Sequence, residues 1–305
     1  MKTLSIIWFA WCAALFVQDA AAQDATKKVR VNGVELSYVE QGKGVAVIFV
    51  HGGLEDYRAW QPQMEGFSRH YHAVAYSRRY NYPNPRVTPR ADYSAVVDAD
   101  DLAALIRKLK LAPAHVVGVS HGAYTALLLA ARHPELVRSL VLSEAPVLRW
   151  LPGLAGGPPL YADFMRKVWE PATRGFRETE EAGVKAAVNG FGELGYSGSD
   201  EKMTFDTLPP EVRSLLLENA PEWKALTLSK EAFPDLSPTA TRRIKVPTLL
   251  LSGQRSPALN GLIDSRLEKL LPRNERIILP DATHEMWNEQ PEECRKAALQ
   301  FIGRH

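Results

Sequence analysis

Cysteine is nearly absent: Cys12 and Cys294 are the only two in 305 residues. Cys12 falls in an apolar leader that should be removed, so a single thiol remains and an internal disulfide is excluded. An excess of charge of one sign is also missing. Lys and Arg number 37 against 35 Asp and Glu, a formal net charge of +2, and they are spread along the chain. No basic tract offers a surface for nucleic acid and no acidic block marks a disordered tail. There is no G-x-G-x-x-G and no Walker lysine, which disfavours nucleotide binding. His70, His72, His115 and His133 stand apart from grouped carboxylates or cysteines, so no metal site and no cofactor is expected. Short internal repeats and coiled-coil heptads are missing too.

What is present is a substantial hydrophobic fraction, 46% of residues, enough for a large core. The first residues form a separate object. A basic start at Met1-Lys2 leads into an apolar run over 6–17, and Ala20-Ala21-Ala22 precedes Gln23. That is the pattern of a secretory signal over residues 1–22, cleaved after Ala22, with a run too short to span a bilayer comfortably. Trp11 before Cys12 is too large for a lipidation signal. The expected destination is the periplasm or the medium, with no membrane contact after cleavage.

From Val29 the chain alternates between strand-like and helix-like stretches. Asn32-Gly33 joins two short β-branched runs in a hairpin. Residues 46–50, Ala-Val-Ile-Phe-Val, form a continuous apolar strand that leads into His51-Gly52-Gly53. Trp60, Met64 and Phe67 recur at helical spacing, 72–76 is the next strand, and 93–109 is an amphipathic helix. Further strands are expected at 111–119, 137–142, 246–251 and 276–279. Alternation of this kind makes a mostly parallel sheet with helices on both faces. Between Pro146 and Arg243 the rhythm stops and helical pieces take over. The expected organisation is a core of residues 23–145 and 244–305 with a helical cap of residues 146–243, placed over the sheet edge where open α/β sheets bind ligands.

The stretch that organises the rest is Gly118-Val119-Ser120-His121-Gly122, with a β-branched run before it and an Ala- and Leu-rich helix after it. G-x-S-x-G in a strand–turn–helix setting strains the serine backbone and lifts its hydroxyl clear of the sheet. Serine is a poor nucleophile until a base takes its proton, and His284, late in the chain after a strand and Pro280-Asp281-Ala282-Thr283, is the candidate base. His51-Gly52-Gly53 after its strand, the elbow pentapeptide, the run His133 to Leu142 and Ile278-Leu279-Pro280-Asp281-Ala282-Thr283-His284 together resemble the α/β-hydrolase superfamily, in its capped esterase and lactonase-like branch. The resemblance implies the α/β-hydrolase fold and acyl transfer through a serine. A serine at the elbow is unlike the epoxide hydrolase and haloalkane dehalogenase branches, which use aspartate there.

The orienting acid is where this sequence departs from the commonest pattern of the superfamily. The loop after strand 246–251 reads Gly253-Gln254-Arg255-Ser256-Pro257, without a carboxylate, and Ser256 stands where the acid is expected. Glu144, just past the preceding strand, is the candidate instead, ahead of Asp264 and Asp281. The backbone amides of Gly53 and His121 are the candidate oxyanion donors. His51 should fix its own turn, and the aromatics and arginines around 76–82, with Trp150, Tyr161, Phe164 and Trp169, should edge an apolar pocket. The expected activity is hydrolysis of a small or medium carboxylic ester through an acyl-enzyme. A lactone substrate and a non-catalytic small-molecule-binding role on the same fold are the alternatives. Oligomeric state stays open.

Overall fold

The computed structural model describes residues 26–196 and 203–305. The signal segment expected over residues 1–22 lies outside them. Eight strands, β1 (Lys27–Val31), β2 (Val34–Gln41), β3 (Ala46–Val50), β4 (His72–Tyr76), β5 (Ala114–Val119), β6 (Val137–Ser143), β7 (Thr248–Gly253) and β8 (Asn274–Leu279), form one sheet in the order β1-β2-β4-β3-β5-β6-β7-β8. β1 and β2 pair antiparallel through the Asn32-Gly33 turn, where both residues take positive φ (44° and 80°), as a tight hairpin matched to strand twist requires. β2 also runs antiparallel to β4, and every later pairing is parallel.

The inner parallel strands β3, β5, β6 and β7 are apolar on both faces because both faces are covered, whereas the edge strand β8 is largely exposed. Along β3, Ile48 and Val50 point to one side with Val74, Val116 and Leu140. Val47 and Phe49 point to the other with Val117, Val141 and Leu249. The first helix, α1 (Gln61–Ser68), covers that second face with Met64 and Phe67. Trp60 packs there too, but from the end of a 3₁₀ turn, Tyr57–Trp60, rather than from the helix. Pro62 in the first turn of α1 has no N–H to continue a helix backwards, which separates the two elements. The first face carries α2 (Ala95–Lys108) and α3 (His121–Arg132).

Between β6 and β7 the described residues hold helices and no strand. α4 (Gly157–Phe164) runs through a π-helical turn, Met165–Trp169, into α5 (Glu170–Glu178). Thr179 then caps α6 (Glu180–Glu193) through its side chain. α7 (Pro210–Glu218), α8 (Ala220–Leu228) and α9 (Pro238–Arg243) complete the insertion. Its buried side chains, among them Trp150, Phe164, Val168, Phe176 and Trp223, belong to the same apolar cluster as the first sheet face. α10 (Ala258–Leu270), the short α11 (Met286–Glu289) and α12 (Pro291–Ile302) close the chain. No helix among the described residues is long and apolar enough to cross a membrane.

Candidate active site

Ser120 sits between β5 and α3 with φ 51° and ψ −123°, a conformation that a non-glycine residue holds only at a cost of about 1–3 kcal/mol. Its amide donates to the Ser143 carbonyl at 2.8 Å and its carbonyl accepts from Tyr124 at 3.0 Å, so both neighbouring elements pin the turn. The flanking glycines are needed for close approach. A Cβ on Gly118 would stand 2.6 Å from the Gly122 carbonyl oxygen, and one on Gly122 would run into the carbonyl oxygens of Val50 and His51.

His284 lies on the loop after β8. Thr283, just before it, is anchored by Glu289, which accepts from its amide at 2.7 Å and from its hydroxyl at 2.8 Å. His284 Nδ1 is 2.6 Å from Glu144 Oε2. Glu144 follows β6 with φ 52°, another strained position, and its carboxylate is almost fully buried. The Gly253 amide donates to Oε1 at 2.9 Å and Asn260 Nδ2 to Oε2 at 2.6 Å. Burial alone would raise the Glu144 pKa, but the His284 contact, with help from Ser256 and the Gly253 amide, holds it below the usual value. Burial would lower the His284 pKa, and Glu144 overrides it and raises the imidazole above 6.5. With Nδ1–H donated to Glu144, Nε2 is left as the free nitrogen of the ring. Tyr196 stacks edge-on against His284 at 4.8 Å and its hydroxyl reaches Asn260 Oδ1 at 3.3 Å, steadying both partners of Glu144.

The other expected acids stand elsewhere. Asp264, on α10, is buried and accepts from Ser252 Oγ at 2.6 Å. Asp281 has φ 57°, is exposed, and donates its amide to the Gln254 side-chain oxygen at 3.2 Å, a loop-fixing arrangement. Among the remaining histidines, His115 bonds Ser139 Oγ at 2.7 Å in the core, and burial lowers its pKa to about 4. His51 is fully buried, donates from Nδ1 to the Gly52 carbonyl at 2.8 Å and accepts the Arg78 amide on Nε2 at 3.0 Å. Acceptance at Nε2 requires the neutral ring, and burial pushes its pKa well below 6.5.

Gly53 and His121, the candidate oxyanion donors, lie on the loop after β3 and at the start of α3. The His121 amide opens α3, where the first helical N–H groups lack intrahelical acceptors. Gly53 lies against the insertion: a Cβ there would meet Trp223 Nε1 at 2.6 Å. Glu55 accepts the Gly52 amide at 2.7 Å, close to Ser120, and burial raises its pKa to about 7. From His284 an aromatic wall runs through Tyr196, Phe191 and Trp223 to Trp169 and Phe233, at successive centroid separations of 4.8, 4.9, 5.4, 6.3 and 4.4 Å.

Arg78 and Arg79 do not edge a pocket. Arg79 forms a two-pronged pair with Asp101, and Arg78 is fully buried between Asp98, at 2.9 Å, and Glu222 of α8, at 2.5 Å. Asp98, Glu222 and His121 present ligand atoms within 4.8 Å of one another, the one grouping among the described residues of a kind that holds metal ions. The guanidinium of Arg78 pairs with both of its carboxylates, so the group is already neutralised by a protein cation. Trp150 is likewise a packing residue, its Nε1 donating to the Leu236 carbonyl at 2.7 Å.

Comparison with known proteins gives a consistent set of likenesses. The alpha/beta hydrolase fold family matches residues 45–289. A 2-(acetamidomethylene)succinate hydrolase of Mesorhizobium japonicum is 26% identical over 285 residues, covering 91% of this chain and 95% of its own. Epoxide hydrolase 3 of Xenopus tropicalis is 23% identical, covering 95% and 80%. Among solved structures, an esterase from Thermogutta terrifontis superposes with a TM-score of 0.70 at 23% identity, covering 92% of this chain and 98% of its own. An enol-lactonase from Burkholderia xenovorans gives 0.69 at 20%, covering 91% and 100%.

Proposed function

The chain belongs to the α/β-hydrolase fold family, and from that premise we propose that it is a serine hydrolase of small or medium carboxylic esters, working through an acyl-enzyme on Ser120. The observation that carries this reading is the 2.6 Å contact between His284 Nδ1 and a nearly buried Glu144, the residue after Ser143, whose carbonyl accepts the amide of the strained Ser120 at 2.8 Å. Relatives at this level of identity include proteins named for other hydrolyses, and a serine at the elbow favours acyl transfer. Ser120 offers a hydroxyl, which needs a base and yields an acyl ester.

In this mechanism Ser120 Oγ attacks the ester carbonyl while His284 Nε2 takes its proton. Glu144 holds the tautomer with hydrogen on Nδ1 and stabilises the imidazolium once it forms. The carbonyl oxygen takes up the electron pair as an oxyanion between the amides of Gly53 and His121. Collapse expels the alcohol, which receives the proton from His284. Water, deprotonated by the same histidine, then attacks the acyl-Ser120, and the acid leaves as the serine proton returns. A lactone would open by these steps with alcohol and acid joined in one product. The aromatic wall beside His284 is the surface on which we place the acyl group, and the insertion over 146–243 serves as the cap that carries it. The leader is read as an export signal, so the N-terminal residue of the secreted protein should be Gln23.

A panel of p-nitrophenyl and aliphatic esters and simple lactones tests the reading. Wild type should hydrolyse at least one class with an initial burst, and Ser120→Ala should be silent on all of them. Binding without turnover by wild type would instead fit the non-catalytic role.

A further inference from the structure

The Gly52–Gly53 peptide is gripped from one side only. Its carbonyl accepts Arg78 Nη2 at 2.7 Å and His51 Nδ1 at 2.8 Å. Because the peptide is trans, the Gly53 N–H points away from those donors. The next amide, from Leu54 at φ 60°, donates to Glu222 Oε2 at 3.0 Å. Glu222 also takes Asn81 Nδ2 at 3.1 Å on that oxygen, and its other oxygen pairs with Arg78. The second candidate donor is tied to the same guanidinium. His121 Nε2 bonds Asp98 Oδ2 at 3.0 Å, and Asp98 pairs with Arg78 Nη1 at 2.9 Å. Asp98 is held further by the Tyr93 hydroxyl at 3.0 Å. Arg78, Asp98 and Glu222 are all fully buried.

Two elements of the core that supply the amides are therefore linked through one cation, and the anion that completes its coordination comes from α8 of the insertion. We propose that Glu222 is a positioning residue that acts through Arg78 and the Leu54 amide to fix both oxyanion donors, so that the seating of the cap sets how well the core performs acyl transfer. This rests on the serine-hydrolase reading of Ser120. Glu222 itself touches no substrate. Its neighbour Trp223, against Gly53, adds a steric stop on the same peptide. A free-standing ion pair in this position would serve stability alone, whereas bonds to the backbone on both sides of Gly53 constrain the direction of a single N–H.

Glu222→Gln keeps the shape and an acceptor for Leu54 but removes the charge that completes the Arg78 pairing. With p-nitrophenyl butyrate, kcat should fall about 10- to 100-fold, less than the loss of a whole oxyanion donor, while KM stays within about threefold. A trifluoromethyl ketone, which adds Ser120 and places an oxyanion between the amides, should lose affinity by the same factor as kcat. The matching methyl ketone, bound as a neutral carbonyl, should not. If Glu222→Gln fails to fold, Glu222→Asp, which keeps the charge but shortens the reach, is put through the same measurements. Unchanged kcat, or equal weakening of both ketones, would overturn the role assigned to Glu222. Failure of wild type itself to hydrolyse the ester or to favour the fluorinated ketone would strike at the serine-hydrolase reading, and the positioning role would fall with it.

Discussion

At the scale of the residue, the Glu144–His284 pair makes the sharpest demand. Glu144→Gln keeps the size of the side chain and an acceptor for Gly253 and Asn260, but gives up the charge that faces the imidazole. We expect a folded protein whose kcat/KM is down about 10³- to 10⁴-fold. The pH profile should move as well. His284 acts as a base only when neutral, and Glu144 raises its pKa, so activity in wild type should fall on the acid side as pH drops through a value above 6.5. In Glu144→Gln that acid limb should shift to lower pH, and in Glu55→Gln it should shift the same way by less, since Glu55 is the more remote influence on the ring. A pH series of kcat/KM on one activated ester reads both shifts. Glu144 could be singled out in the sequence because the loop at 253–257 is empty of carboxylates, which sends the search to the end of the neighbouring strand. Glu222 could not. Its bond to Leu54 joins residues 168 apart, and nothing in the local sequence of α8 marks its glutamate as buried.

At the scale of the element, the turn from β5 into α3 leaves no room for variation. Gly122→Ala should destabilise the protein by about 2–3 kcal/mol or prevent soluble expression, because the new methyl meets backbone and not a side chain that could swing away. Urea denaturation alongside wild type measures it. The aromatic wall makes the opposite kind of prediction: Phe191→Ala should change the preferred acyl length while leaving turnover of an acetyl ester within about threefold. An equal loss on all chain lengths would mean that Phe191 props up the fold and does not line the pocket. The strands were legible from their β-branched, doubly apolar runs and the hairpin from Asn32-Gly33. Less legible were the ends of elements in the insertion, such as the break at Thr179, where a capping side chain rather than a loss of periodicity divides two helices. The burial of Arg78 was hidden for a related reason: in sequence an arginine reads as surface until its partners are known.

At the scale of the whole molecule, the buried acids shape how stability follows pH. Burial raises Asp264 from 3.8 to about 7, so the native state holds a proton that the unfolded chain has already released. Stability from this group is present in mild acid and declines as pH rises toward and through 7. Asp264→Asn, which still accepts from Ser252, should flatten that decline, with Tm rising relative to wild type between pH 5 and 8. A variant that tracks wild type at every pH would show Asp264 to be ionised throughout. The same substitution leaves the Glu144–His284 contact in place, so turnover should change little, and stability and catalysis can be read apart. The claim on which everything else rests is that Ser120 is the nucleophile and His284 its base. Peptide-mapped mass spectrometry after exposure to a fluorophosphonate tests it most directly. We predict one phosphonyl group per chain, on the peptide that carries Ser120, with labelling lost in His284→Ala at matched circular dichroism; an adduct elsewhere, or undiminished labelling without His284, would contradict the account.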